Sequence, residues 1–152
     1  DGTISMIASD HTDYLYEEKL AAKHDIWACE NGMPGVATLA PLTIDACMNA
    51  HGFSAEKTAE LLAANAAKKF GIYPRKGSIR IGADADFAIV DPGKEWTING
   101  EELYYKQKWS PYDGWKVRGA VETTIIRGRV VYDNKVVLAE GGYGQFINPR
   151  EI

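Results

Sequence analysis

An acid and an imidazole stand side by side near the start of the sequence, directly after an apolar run. The run, residues 3–9, is rich in β-favouring residues, and Asp10 and His11 follow it. If it is a buried strand, both side chains emerge at its carboxyl end, where α/β folds place ligands and metals. The alternative is an ordinary core strand closed by an aspartate that accepts N–H bonds from the following loop. From these residues alone, both interpretations stay open.

The other residues that could do chemistry have simpler interpretations. Asp84 and Asp86 lie in Gly-Ala-Asp-Ala-Asp, which favours a turn whose carboxylates bond backbone N–H groups. Cys29 and Cys47 have neither C-x-x-C spacing nor a histidine partner, so neither is predicted to be a nucleophile. The two remaining histidines are interpreted as surface or loop residues: His24 and His51.

Composition narrows the class of protein. With 152 residues, 45% hydrophobic and 25% charged, the chain can bury one sizeable core. Its net charge of −4 offers no basic field for a phosphate backbone, so a nucleic-acid partner is not expected. We find no apolar run of about 18 residues and no leader pattern, and therefore expect no membrane span and no signal peptide. The cysteine usage fits a cytoplasmic protein. The chain begins Asp1-Gly2 and has its first methionine at position 6, from which we expect a fragment.

Two helices and a long loop are predicted to follow the apolar run. The polar, charge-mixed stretch 12–31 is interpreted as a functional loop. Residues 31–35, with two glycines and a proline, form a turn whose backbone amides can approach a ligand closely. Thr38 is predicted to cap a helix that ends at Gly52. A second helix is predicted over 54–70, with Ser54 as its N-cap and Gly71 just past its end.

The second half of the sequence is predicted to be all-β. Strands are expected at residues 78–81, 86–91, 96–98, 121–126, 129–132 and 136–138, with turns at 127–128 and 133–134. The aromatic stretch 101–119 is interpreted as packing or a subunit contact, and 141–152 as an extension. A lone strand followed by so few β-strands cannot satisfy its own backbone groups, so partners upstream are implied.

A series of short motifs, taken in order, resembles the C-terminal third of a cyclic amidohydrolase of the dihydroorotase, allantoinase and hydantoinase/dihydropyrimidinase group. The motifs are Ser9-Asp10-His11, Glu17-Glu18-Lys19, Pro34-Gly35-Val36-Ala37-Thr38-Leu39 with Pro41-Leu42, Asn65-Ala66-Ala67-Lys68-Lys69-Phe70-Gly71, Lys76-Gly77-Ser78-Ile79, Gly82-Ala83-Asp84-Ala85-Asp86-Phe87, Ser110-Pro111-Tyr112-Asp113-Gly114 and Thr124-Ile125-Ile126-Arg127-Gly128. Each motif is weak alone, but eight in the right order cover nearly the whole chain.

The resemblance implies an α/β fold. It consists of the last strand and helices of a (β/α)8 barrel of the TIM type, together with part of a β-sandwich. On this template residues 3–9 are the eighth barrel strand. Residues 1–74 then belong to the barrel, 75–140 to the composite sandwich, and 141–152 to a C-terminal extension.

The resemblance also implies a metal site at Asp10. In the family this carboxylate ligates a divalent metal, usually zinc, and takes the proton from the metal-bound hydroxide that attacks the ring carbonyl. The other ligands are histidines on earlier strands and a carboxylated lysine that bridges two metals. The chain has three histidines and no H-x-H pair, so it cannot build that binuclear site alone. His11 is then a residue of loop packing rather than a ligand.

Substrate choice is predicted from the five residues Asp10-His11-Thr12-Asp13-Tyr14. Dihydroorotases often read Asp-His-Ala-Pro-His there, and the last histidine helps to hold a substrate carboxylate. A neutral phenol at Tyr14 favours a neutral ring instead, such as a hydantoin, dihydropyrimidine or allantoin.

By family analogy, four residues of the following turn are predicted to bind the ring amide through backbone groups: Asn31, Gly32, Pro34 and Gly35. A plain turn remains the alternative for these residues.

The favoured function is hydrolysis of a ring C–N amide bond, as in a hydantoinase/dihydropyrimidinase or an allantoinase. The alternatives are a dihydroorotase or a non-catalytic, dihydropyrimidinase-like assembly protein. The implied partners are a small cyclic amide or ureide, the missing N-terminal part of the same protein, and further copies in a dimer or tetramer.

Overall fold

The computed structural model describes residues 2–151, so Asp1 and Ile152 lie outside the described residues. The first half is helical, and the helices are, in order, α1 (Tyr16–Lys19), α2 (Val36–Ile44), α3 (Ala55–Ala59) and α4 (Asn65–Lys69). Wider π-helical segments, Asp45–Ala50 and Glu60–Ala64, extend α2 and join α3 to α4. Short 3₁₀ turns lie at Leu20–Lys23, Ile26–Ala28, Gly100–Glu102 and Pro149–Glu151. Within residues 2–151, no helix has both the length and the apolar character that a membrane span requires.

The second predicted helix is confirmed. Ser54 is its N-cap, and the Ser54 hydroxyl accepts a hydrogen bond from the Lys57 amide at 3.2 Å. Leu61 and Ala67 are buried on its inner face, and Gly71 follows its end with φ +70°. Local sequence signals were sufficient here because both ends are specified by neighbouring residues.

The predicted start of the first helix is wrong. The N-cap of α2 is Gly35, and Thr38 lies inside the helix, where its hydroxyl donates to the Gly35 carbonyl at 3.1 Å. The side chain that binds the first amides of α2 is His11, 24 residues earlier in the chain. A residue so far away cannot be recognised as a cap by a local pattern.

The apolar run 3–9 forms no strand ladder with any described residue, so the prediction of a buried strand is not met in this chain. The run lies along the second helix instead: the Ile7 amide donates to the Leu61 carbonyl at 3.0 Å, and Asn65 Nδ2 donates to the Ser5 carbonyl at 2.7 Å. Ile4 is 69% exposed. A strand becomes buried only when neighbouring strands pair with it, and the described residues supply none.

The second half forms one antiparallel sheet in the order β1-β2-β3-β4. Its strands are β1 (Phe87–Thr97), β2 (Lys116–Ile126), β3 (Arg129–Asp133) and β4 (Val136–Val137). The strands predicted at 86–91 and 96–98 are parts of the single strand β1, whose pairing with β2 shifts register between Asp91 and Glu95. The residues between Asp91 and Glu95 resemble a strand end in the sequence, but a β-bulge accommodates them within β1.

Two further β predictions need correction. Residues 78–81 are not a strand, and Ile79 and Ile81 are largely exposed. The turn at Arg127-Gly128 is confirmed, but the next turn lies at Asn134-Lys135, one residue later than predicted. Both turns have two central residues with positive φ, the geometry that joins twisted antiparallel strands.

The main buried cluster lies where α2 packs against the sheet. It contains Ile98, Leu103, Tyr105 and Val117, with partly buried Ala37, Leu42, Trp96 and Tyr112 around it. The packing interpretation of the aromatic stretch is therefore confirmed for Tyr105 and Tyr112. Because α2 is fixed on the sheet, its N-terminus has a defined place beside residues 10–12.

Candidate functional site

Asp10 lies at the end of the apolar run, where the chain turns sharply. Its φ of +44° is in the left-handed region, and the residue is exposed. Aspartate is among the few residues that adopt this conformation readily. Its carboxylate is therefore open to solvent and not enclosed in a dry core.

His11 joins Asp10 to the start of α2. Its Nδ1 accepts hydrogen bonds from the Gly35 amide at 3.0 Å and the Val36 amide at 3.4 Å. An accepting Nδ1 places the proton of the neutral ring on Nε2. His11 therefore has the packing role that the sequence predicts for it, and it satisfies amides that a helix N-terminus otherwise leaves unpaired.

The turn at residues 31–35 is held directly against residues 11–12. His11 and Met33 form an isolated parallel bridge, and the Thr12 amide donates to the Met33 carbonyl at 3.1 Å. Gly32 faces Thr12, whose hydroxyl is buried without a hydrogen-bond partner in residues 2–151. The structure thus brings residues 10–12 next to the turn at residues 31–35, which is predicted to bind the ring amide.

Not all of the predicted turn residues are equally available to a ligand. Asn31 and Gly32 are exposed, whereas Pro34 is fully buried and the Gly35 amide is bound to His11. The predicted ring-amide role therefore rests on Asn31 and Gly32. Sequence reasoning missed the structural use of Gly35 because its partner is remote in sequence.

The phenol of Tyr14 lies in acidic surroundings. The charge of Glu30 and a hydrogen bond to it raise the pKa of Tyr14, and Asp13 and Glu18 act in the same direction. Lys19 Nζ lies over the same ring, 4.7 Å from its centre. Tyr14 thus presents a hydrogen-bonding phenol beside three carboxylates and one ammonium group.

The loop after Asp10 is also bound by two side chains from the connection between β1 and β2. Trp109 Nε1 donates to the Tyr14 carbonyl at 2.9 Å, and Gln107 Nε2 donates to the Asp13 carbonyl at 2.8 Å. No sequence signal indicated this contact, because nothing local links residues that lie more than 90 positions apart.

Asp84 and Asp86 belong to a separate ionic cluster. Lys76 Nζ contacts the Asp84 carboxylate at 2.9 Å and also binds Asp86, while Arg75 Nε lies 3.2 Å from Asp84. Asp86 also accepts a hydrogen bond from the Arg127 amide at 2.8 Å, as the turn interpretation predicts. The cluster joins the chain after α4 to the turn between β2 and β3. These ion pairs and hydrogen bonds do not involve Asp10.

The described residues do not by themselves fit a metal ion. Across residues 2–150 no group of three or more His, Cys, Asp or Glu side chains could hold one. Asp10 can contribute one oxygen ligand, whereas a catalytic metal needs about three protein ligands. Among the described residues, Asp10 could therefore be at most one ligand of a metal site.

Comparison with known proteins defines the class. The sequence profile of the Amidohydrolase family matches residues 1–131, so the chain belongs to that family. Membership implies a divalent metal cofactor.

Similar proteins within the class are cyclic amidohydrolases. The chain is 36% identical to an L-hydantoinase from Paenarthrobacter aurescens over 99% of its length, and 38% identical to an allantoinase from Rubrobacter xylanophilus over 98%. It is 40% identical to a dihydroorotase from Pyrococcus furiosus over 90% of its length. The chain spans about a third of the length of these relatives.

The fold agrees with this assignment. A D-hydantoinase structure superposes with a TM-score of 0.90 and 33% identity, over 96% of this chain and 32% of the other. The predicted fold class is thus confirmed: the chain has the fold of the end of a (β/α)8 amidohydrolase barrel with part of its β-sandwich.

Proposed function

We propose that this chain is the C-terminal third of a metal-dependent amidohydrolase that hydrolyses a ring C–N bond in a cyclic amide. In this proposal residues 1–74 complete the barrel, 75–140 contribute to the sandwich and 141–152 form an extension. The observation that carries the proposal is the exposed carboxylate of Asp10, held beside the turn at residues 31–35 through His11.

Asp10 is proposed as a metal ligand and as the acceptor of the proton released from the attacking water. A bound divalent cation lowers the pKa of water toward neutrality and polarises a carbonyl. A carboxylate with an open position beside the substrate can then carry a proton to the leaving nitrogen. Asn31 and Gly32 are proposed to bind the ring amide, and Tyr14 is proposed to contact the ring.

The proposed substrate is a neutral ring, such as a hydantoin, a dihydropyrimidine or allantoin. Tyr14 stands among the carboxylates of Asp13, Glu18 and Glu30, which disfavour a substrate that carries its own carboxylate. Zinc as the metal, a homo-oligomer and a cytoplasmic location are further parts of the proposal. They rest on the family likeness and on the two free cysteines.

A second candidate is a dihydroorotase. The observation in its favour is the 40% identity to the Pyrococcus furiosus dihydroorotase. A non-catalytic homologue is less favoured, because such a protein has no need of an exposed carboxylate at position 10.

The test of the catalytic proposal replaces Asp10 in the complete protein that contains this chain. We expect Asp10→Asn to lower kcat by about 10²–10⁴-fold, since proton transfer by a placed carboxylate contributes about that much. The matched control is Asp25→Asn on the same loop. Asp25 accepts a hydrogen bond from the Trp27 amide at 2.9 Å, and asparagine caps a helix end equally well. Wild-type turnover in Asp10→Asn would refute the assignment.

The substrate proposal is tested by assaying the complete protein on hydantoin, allantoin, dihydrouracil and dihydroorotate with added zinc. Turnover of at least one neutral ring is the expected result. If dihydroorotate alone were hydrolysed, the role given to Tyr14 would be wrong and the second candidate would stand.

A further inference from the structure

The side chains of Trp109 and Gln107 bind the backbone carbonyls of the two peptides that flank Tyr14. Their N–H groups donate to the Tyr14 and Asp13 carbonyls at 2.9 and 2.8 Å. The Trp109 ring also lies 5.6 Å from the Tyr16 ring, centre to centre. One segment therefore contacts three residues within positions 13–16, directly after the Asp10 turn.

The segment that carries Trp109 is itself fixed by the buried cluster. The Tyr105 hydroxyl donates to the Trp109 carbonyl at 3.0 Å, and Tyr105 belongs to that cluster. Gly100 packs so closely that a Cβ there would lie 2.8 Å from the Trp109 Cα. The backbone that carries the indole is thus held in place by its own contacts. The hydrogen bond from the indole N–H to the Tyr14 carbonyl can therefore determine the position of the loop.

The loop is held at its other end by His11. That residue binds the Gly35 and Val36 amides, and its ring lies 5.4 Å from the Tyr105 ring. Only Thr12 lies between His11 and the two residues whose carbonyls are bound, Asp13 and Tyr14. Fixing the carbonyls of Asp13 and Tyr14 orients the two peptide planes that flank Tyr14, and so sets where its side chain can reach.

We propose that Trp109, assisted by Gln107, is a positioning residue that places Tyr14 against the substrate. This inference rests on the proposed function, because it gives Tyr14 a substrate contact. Trp109 has the larger part, since its bond is partly buried whereas that of Gln107 is exposed to water. Neither residue touches the reacting atoms.

The test uses Trp109→Phe in the complete enzyme. Phenylalanine keeps a ring beside Tyr16 and removes the N–H that binds the Tyr14 carbonyl. We expect KM to rise about 3–10-fold, the usual effect of losing one such hydrogen bond. We expect kcat to stay within about twofold and the metal content to be unchanged.

Trp115→Phe is the matched control, because it is the same substitution on the same connection. Trp115 is 56% exposed, and its ring packs against that of Tyr112, 5.2 Å away. Wild-type KM and kcat are expected for this variant. Gln107→Met, which removes an exposed donor and adds no charge, is expected to raise KM by less than Trp109→Phe does.

A double-mutant cycle separates positioning from general structural support. If Trp109 acts through Tyr14, Trp109→Phe changes KM by less than about twofold when Tyr14→Ala is already present. An equal KM factor in both backgrounds would overturn the inference, and so would a loss of active enzyme with KM unchanged.

The two proposals fail in different ways. Wild-type KM for Trp109→Phe in an enzyme that Asp10→Asn inactivates would overturn the positioning role alone. A complete protein that hydrolyses none of the four rings would overturn the proposed function and the inference together.

Discussion

The contact between Gly32 and Thr12 determines how closely the predicted ring-amide turn can approach the Asp10 segment. Gly32 has φ +91°, a conformation that residues with side chains rarely adopt. A Cβ at this position would lie 2.4 Å from Thr12 Cγ2 and 2.7 Å from its hydroxyl oxygen. The sequence identified Gly32 as a turn residue, but the need for close approach could not be seen, since it depends on a residue 20 positions earlier.

Gly32→Ala is therefore expected to lower the free energy of unfolding by about 2 kcal/mol or more, through backbone strain and overpacking. It is also expected to raise KM, because the turn must move away from Thr12. Thermal unfolding and steady-state kinetics of the complete protein measure both effects.

Gly141→Ala serves as the control for that substitution, because a Cβ there meets nothing within 4 Å. Adding Thr12→Ala to Gly32→Ala should recover part of the lost stability, since it removes the two atoms in closest conflict. A Gly32→Ala protein as stable as the Gly141→Ala control would contradict this account.

At the scale of elements, local signals succeeded where an element is specified by its own residues. The helix after Ser54 and the turn at Arg127-Gly128 were predicted because caps and turn residues lie within the segment. Prediction failed where a residue distant in sequence determines the element. His11 caps α2. The residues between Asp91 and Glu95 form a bulge in β1, because β2 pairs with β1 both before and after them. The hydrogen bond from Trp109 to the Tyr14 carbonyl could not be predicted for the same reason.

Residues 78–81 alternate like a strand but lie beside the ionic cluster of Lys76 instead. Lys76 is mostly buried between Asp84 and Asp86, and the Asp84 amide also donates to the Arg75 carbonyl at 3.0 Å. These bonds close the chain into a compact loop between residues 75 and 86. The alternation was therefore outweighed by ion pairs between charges on either side of it.

This cluster makes stability depend on pH. Hydrogen bonding to Lys76 is the main cause that lowers the pKa of Asp84, with Arg75 adding to it against a partial desolvation cost. Burial alone would lower the pKa of Lys76, but hydrogen bonds to Asp86 and Asp84 outweigh it and raise that pKa. The Asp84 contribution is present above the unfolded carboxyl pKa of about 3.9 and is lost as pH falls further. The Lys76 contribution is present below about pH 10.4 and is lost above its raised pKa.

Lys76→Met is accordingly expected to lower the free energy of unfolding by about 1–2 kcal/mol near pH 7. The difference from wild type should shrink as pH falls below about 4 and toward the lowered pKa of Asp84, because protonated Asp84 no longer forms an ion pair with Lys76. Urea unfolding of the complete protein at pH 7 and pH 3 measures it.

Lys57→Met provides the comparison for this prediction. Its exposed pair with Glu60, 3.3 Å apart, should contribute less than about 0.5 kcal/mol at either pH. A Lys76→Met effect equally large at pH 3 and pH 7 would mean that packing, and not charge, accounts for the stabilisation.

At the scale of the whole molecule, the described surface leaves large apolar side chains open to solvent, as we expect if the proposed remainder of the protein packs there. Several large apolar side chains are mostly exposed, among them Ile4 at 69%, Ile79 at 85% and Ile81 at 101%. Apolar groups exposed to this degree are typical of interaction surfaces. The run 3–9 in addition has backbone groups that no strand in residues 2–151 pairs into a ladder. The order of motifs in the sequence predicts that the chain spans only part of its relatives' length, because the motifs resemble only the end of a family pattern.

The 152-residue chain alone is therefore expected to show no metal-dependent hydrolysis of any of the four rings. One carboxylate at Asp10 cannot retain a cation against water, and no group of three or more ligating side chains exists in the described part of the chain. Zinc titration followed by calorimetry and a hydrolysis assay measure both points, with the complete protein as the positive control. Metal-dependent turnover by the chain alone would require ligands other than those proposed, and it would remove the reason for assigning the metal to a shared site at Asp10.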